Sequence, residues 1–133
     1  MNSFGAKSKR ELLGVHSDLV ICTTTTLLDP ALKYDFTVFD GLRTEVEQTE
    51  NVRRGVSWTM NSMHLPQVDD FAWAVDLVPI INGKLSWDNA DEAFKQIADA
   101  MFRAAKHHNI EIEWGFKMWQ KDKPHFQLKR VPT

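Results

Sequence analysis

Cysteine is almost missing from this sequence: Cys22 stands alone among 133 residues, so no internal disulfide can form. Secreted domains of this size more often carry a paired framework, so a reducing compartment is expected. An excess of one charge is missing too, with 16 Lys and Arg against 18 Asp and Glu and a net charge of −2. That removes the electrostatic footprint of a nucleic-acid-binding protein. The opening Met1-Asn2-Ser3-Phe4-Gly5-Ala6-Lys7 has no apolar stretch, so no secretory signal is expected. The most apolar run, Phe71 to Ile81, is interrupted by Asp76 and is far too short for a bilayer span. No repeat, low-complexity tract or Pro/Gly-rich linker divides the chain, so residues 1–133 are expected to form one domain that folds inside a cell.

What is present is a core. Leu, Ile, Val and Phe make up 35 of the 133 residues, enough to set intrinsic disorder aside. Ser8 to about Leu28 reads as a first helix, capped by Ser8, with the β-branched run Thr23-Thr24-Thr25-Thr26 weakening its end. Phe36 to Phe39 reads as a strand closed by the turn pair Asp40-Gly41. Thr44 to Val52 reads as a short helix with a capping box between Thr44 and Glu47. Phe71 to Ile81 reads as a buried strand ending at Pro79, with a turn at Asn82-Gly83. Asp88 to about His108 is the clearest helix: Phe94, Ile97, Ala98, Met101, Phe102 and Ala105 form one apolar stripe. Ile110 to Trp114 and His125 to Leu128 alternate as half-buried strands do. Helices and strands are mixed without βαβ alternation, which predicts a small α+β domain.

Five histidines are the main chemical asset. His107 and His108 close the long helix, where an imidazole suits the negative end of the dipole. His16, inside the first helix, reads as a surface or packing residue. His64 and His125 lie beside predicted strands with carboxylates nearby. Asp76 is a carboxylate on an apolar strand, where burial without a partner is costly. Two imidazoles and one carboxylate form a catalytic zinc set with a fourth position left for water. Asp122, three residues before His125, would remain as the general base. The same residues also fit satisfied polar groups in an ordinary core.

A longer pattern adds to this. Gly41-Leu42-Arg43-Thr44 with Gln48, then Ser62-Met63-His64, Ala74-Val75-Asp76-Leu77-Val78-Pro79, Trp114-Gly115 and Asp122-Lys123-Pro124-His125-Phe126-Gln127-Leu128 occur in that order. Together with Gly14-Val15-His16-Ser17-Asp18-Leu19, they resemble the phage endolysin L-alanyl-D-glutamate endopeptidases. That family is related to the D-alanyl-D-alanine carboxypeptidases and the hedgehog-type zinc fold. The resemblance implies a small antiparallel sheet flanked by helices, with zinc bound by His64, Asp76 and His125. It implies Asp122 as catalytic base, and Arg43 as a group holding the polarised carbonyl or a substrate carboxylate. A salt bridge near the Asp40-Gly41 turn is the other reading of Arg43. Gln48 and Ser62 would orient the ligands.

The family motif S-x-H-x-x-G-x-A-x-D is shorter between its histidine and aspartate than this chain, where residues 65 to 75 intervene. Asp69 and Asp70 lie nearer the family spacing, but they follow Pro66-Gln67 in a stretch that reads as a solvated loop. Asp76 is therefore the expected ligand. The loop from Leu65 to Trp73 is expected to bulge at the cleft edge. Among Trp58, Trp73, Trp87, Trp114 and Trp119, most read as packing, with Trp114 and Trp119 as candidates to line the cleft.

The function implied is hydrolysis of the L-alanyl-D-glutamate bond in the peptidoglycan stem peptide. The expected protein is a monomer held in the host cytoplasm until lysis. Two alternatives remain at this point: a D-alanyl-D-alanine carboxypeptidase on the same scaffold, and a non-catalytic, zinc-stabilised wall-binding domain.

Overall fold

A computed structural model describes residues 4–55, 62–118 and 122–129. Helices α1 (Ala6–Leu12) and α2 (Ser17–Leu27) lead into β1 (Asp35–Asp40) and α3 (Glu45–Arg53). The hairpin β2 (Ala74–Ile81) and β3 (Lys84–Leu85) precedes α4 (Asp91–His107). The chain closes with β4 (Ile112–Trp114), the short α5 (Gly115–Met118) and β5 (His125–Leu128). The strands form one antiparallel sheet in the order β1-β2-β5-β4, with β3 paired to β2. The α+β expectation holds.

The first predicted helix is two helices. Its apolar periodicity runs on, but Gly14 adopts φ +81° and turns the chain. A Cβ there would meet Leu42 Cδ2 at 2.6 Å, so the close approach also calls for glycine. His16, expected as a surface or packing residue, is the N-cap of α2; its Nδ1 accepts the Asp18 N–H at 3.0 Å. The threonine run stays helical because Cys22, Thr23, Thr26 and Leu27 pack into the core, and the hydroxyls of Thr23, Thr24 and Thr26 find acceptors in carbonyls one turn back.

Strand β2 starts later than predicted and runs through Pro79, whose carbonyl accepts the Ser86 N–H. Asn82 and Gly83, with φ +53° and +77°, close the two-residue turn that the dipeptide predicts. Helix α3 carries the predicted capping box between Thr44 and Glu47. In α4, Ala104 is buried and Phe102 is partly exposed, so the core-facing stripe is rotated from the predicted one. His108 closes α4, and its Nε2 lies 2.8 Å from the Thr25 hydroxyl on α2.

Pairing register sorts the sheet into two faces. Val75 faces Phe126, which faces Trp114; with Phe36, Val38 and Leu77 these side chains join α2 and α4 in the main core. Asp76 faces His125, and Ala74 faces Gln127, on the opposite side. One face of the sheet therefore holds the fold together, and the other carries the polar groups. Cys22 belongs to the core, where burial, with Asp18 nearby, pushes its thiol up to about 11 and keeps it unreactive at neutral pH.

Candidate active site

Asp76 and His125 meet because β2 and β5 pair there in register. His64 comes from the loop before β2, where the Ser62 hydroxyl accepts its N–H and its carbonyl accepts the Arg43 N–H. His64 Nε2 lies 3.1 Å and His125 Nδ1 3.3 Å from the same oxygen, Asp76 Oδ1. One ligand atom from each residue lies within 4.8 Å of the others, and this trio is the cluster among the described residues able to hold a metal ion. Both histidines are buried, at 3% and 5% exposure.

The outer ring nitrogens show what the inner ones must do. His64 Nδ1 donates to the Gly41 carbonyl at 2.8 Å, and His125 Nε2 donates to Gln127 Oε1 at 2.8 Å. Both neutral rings then turn lone pairs toward a carboxylate. Three acceptors converging on one point repel each other unless a cation or protons lie between them. Two histidines with their outer nitrogens held, and one aspartate, fit a divalent zinc-type ion. A proton on His64 would meet the same need. Burial pushes the His64 imidazole down, yet Asp76, aided by Asp40, outweighs it and raises the group above its ordinary value. Burial likewise disfavours the Asp76 charge, but the two imidazoles hold its carboxyl well below the usual carboxylate range.

Asp122 stands beside this cluster and outside it, with Oδ2 at 4.0 Å from His125 Nδ1 and a side chain 38% exposed. Its segment is tightly fastened. Trp114 Nε1 donates to the Lys123 carbonyl at 2.7 Å, and the Lys123 ammonium pairs with Asp91 on α4. Gly115 lies directly against it. A Cβ on Gly115 would come 2.6 Å from the Asp122 carbonyl oxygen and 3.0 Å from His125 Cβ. Gly115→Ala is therefore expected to displace Asp122 and His125 together, costing about 1–3 kcal/mol of stability as overpacking does. A lower melting temperature together with reduced metal content would be the observed result.

The salt-bridge reading of Arg43 is the one seen. Its guanidinium pairs with Asp40 and donates to Gln48 Oε1, while the side chain lines a groove that opens from Asp76. Gln48, expected to orient the ligands, is fully buried, and its Oε1 accepts from Arg43. The groove measures about 770 Å³.

Two expectations change. Trp114 is buried, stacks on Phe126 at 6.3 Å and supports the Asp122 segment from the core, so it does not line the groove. Its apolar-side register in β4 directs the ring inward. Trp119, like Trp58, lies outside the described residues. The tryptophan in the groove is Trp87, which follows the Asn82-Gly83 hairpin; that turn was the signal available for it. None of residues 65–73 lines this groove. Asp69 is not simply solvated: it accepts the Trp73 indole N–H at 2.9 Å and the Phe71 N–H, and lies 3.7 Å from His16 Nε2. The indole and imidazole draw the loop back toward the start of α2.

Comparison with known proteins places this geometry in context. The family model described as phage L-alanyl-D-glutamate peptidase matches residues 1–130. The L-alanyl-D-glutamate peptidase of Escherichia phage T5 is 30% identical over 128 residues, covering 96% of this chain and 89% of that protein. The crystal structure of Serratia marcescens L-Ala D-Glu endopeptidase ChiX superposes with a TM-score of 0.78 at 40% identity, covering 95% of this chain and 89% of that one.

Proposed function

The chain belongs to the phage L-alanyl-D-glutamate peptidase family, and from that membership we propose that it is a zinc-dependent endolysin cutting the L-alanyl-D-glutamate bond of peptidoglycan stem peptides. The observation that carries the chemistry is the convergence of His64, Asp76 and His125 with Asp122 alongside. Zinc held by those three residues would supply a Lewis acid that polarises the scissile carbonyl and acidifies the attacking water. Asp122, on the open side of His125, accepts a proton from that water and returns it to the departing amine. Gly41 and Gln127 hold the imidazoles in the tautomers that keep their inner nitrogens available. Arg43, fixed by Asp40 and Gln48, offers its remaining guanidinium edge beside the scissile carbonyl.

An endopeptidase is favoured over a carboxypeptidase on the same scaffold. The matching family model and both relatives are described as L-alanyl-D-glutamate peptidases, and ChiX as an endopeptidase. No described helix is long and apolar enough to cross a membrane. The protein acts as a monomer, waiting in the host cytoplasm and reaching the wall once the membrane is breached. Mass spectrometry of purified peptidoglycan after digestion is the deciding experiment. New L-alanine carboxyl ends and D-glutamate amino ends should appear, disappear on chelation, and return with one zinc per chain. Release of D-alanine, or undiminished cleavage by metal-free protein, would refute the proposal.

A further inference from the structure

The groove that opens from Asp76 has an aromatic outer part. Register along β1 and β2 slips between Val38 and Asp40, leaving Phe39 as the extra residue of a bulge. Bulges near active sites re-aim side chains, and this one turns Phe39 into the groove. Phe39 meets Trp87 edge-to-face, with ring centres 4.8 Å apart and planes at 89°. Lys7 Nζ lies 5.0 Å over the Phe39 ring, leaving the indole as the more open of the pair, at 45% exposure. Phe39 at 37% and Trp87 at 45% exposure together leave apolar surface on the groove wall, and apolar surface in a groove marks ligand sites.

The polar wall narrows the choice of ligand. Glu47, Glu50 and Asn51 from α3 face the aromatic pair across the groove, and the groove's arginine is occupied by Asp40 and Gln48. Such a wall receives hydroxyl and amide groups well and anions badly. The two sides of an L-alanyl-D-glutamate bond differ in this respect. The glutamyl side carries free carboxylates. The alanyl side is neutral, because the alanine nitrogen is joined in an amide to the lactyl group of an N-acetylated sugar. That sugar begins within about 7 Å of the scissile carbon, roughly two residue lengths.

We propose that the groove between α3 and the segment that follows β3 receives the neutral alanyl side of the bond, with Trp87, braced by Phe39, stacking on the attached muramyl sugar. This rests on the endopeptidase reading and adds to it an orientation and a specificity-determining residue. The indole supplies an apolar face for the sugar's C–H groups, while Asn51 and the Glu47 lone pairs left over from its cap on Thr44 take its hydroxyl and acetamido groups; Glu50 is paired with Arg53. Anionic residues on the glutamyl side leave by another path.

Two substrates test this with zinc-loaded protein: a muramyl-L-alanyl-D-glutamyl peptide, and the same peptide with an acetyl group replacing the sugar. The wild-type protein should favour the muramyl substrate through a lower KM. Trp87→Ala should reduce that preference about five- to tenfold, in KM rather than kcat, as loss of one aromatic stacking face predicts. Trp87→Phe should restore part of it. Equal losses on both substrates, a change confined to kcat, or no wild-type preference would overturn the proposal. Failure of the wild-type protein to cleave either substrate would instead refute the endopeptidase reading on which it rests.

Discussion

Asp76→Ala will empty the metal site and abolish wall lysis. The variant leaves two buried imidazoles whose outer nitrogens are already committed to Gly41 and Gln127. Two neutral ligands without the charge of Asp76 bind zinc far more weakly than a three-ligand site does. Elemental analysis should find the metal near background, and the lytic rate should match that of chelated wild-type protein. Asp69→Ala and Asp70→Ala provide the contrast. Asp69 receives the Trp73 indole and the Phe71 amide, while Asp70 has φ +66° in the same loop. Both variants should retain about one zinc per chain, with Asp69→Ala loosening only the loop. Metal loss in either of these, with Asp76→Ala still loaded, would show that the ligand had been misassigned.

Asp122→Asn should separate binding from turnover. The side chain lies outside the ligand trio, and its backbone is held by Gly115 packing and the adjacent Trp114 hydrogen bond. The amide preserves shape but cannot take the proton of the attacking water. A positioned general base contributes about 10²–10⁴-fold, so kcat should fall by that factor with zinc content and melting temperature unchanged. Concurrent loss of zinc would make Asp122 a ligand. Full turnover would transfer the role to another carboxylate, such as Glu113, which pairs with Gln127 across β4 and β5.

Much of the site could be read from the chain because its chemistry depends on residue type. A carboxylate within Ala74-Val75-Asp76-Leu77-Val78 needs a partner wherever that strand is buried, and the two strand-adjacent histidines were the available partners. The same reasoning preferred Asp76 to Asp69, although it underestimated Asp69, whose partners Trp73 and His16 come from the strand's approach and from α2. Periodicity located α4 and the capping box located α3. It failed at residues 13–16, where apolar spacing continues across a break made by Gly14 and capped by His16.

The sequence by itself determined the α+β composition, the hairpin at Asn82-Gly83, and the residue types of the His64–Asp76–His125 cluster with the order in which they arrive. These follow from local rules: side-chain periodicity, turn conformations and the cost of burying charge. Tertiary structure alone decided that β5 pairs with β2 so that His125 meets Asp76, that Gly41 and Gln127 fix the ring tautomers, and that Trp87 rather than Trp114 stands in the groove. Register and strand order join residues far apart in the chain, and a shift of one residue reverses which face each side chain occupies. No local pattern carries that information, because it is set by which sheet face can bury Val75, Leu77 and Phe126 against α2 and α4.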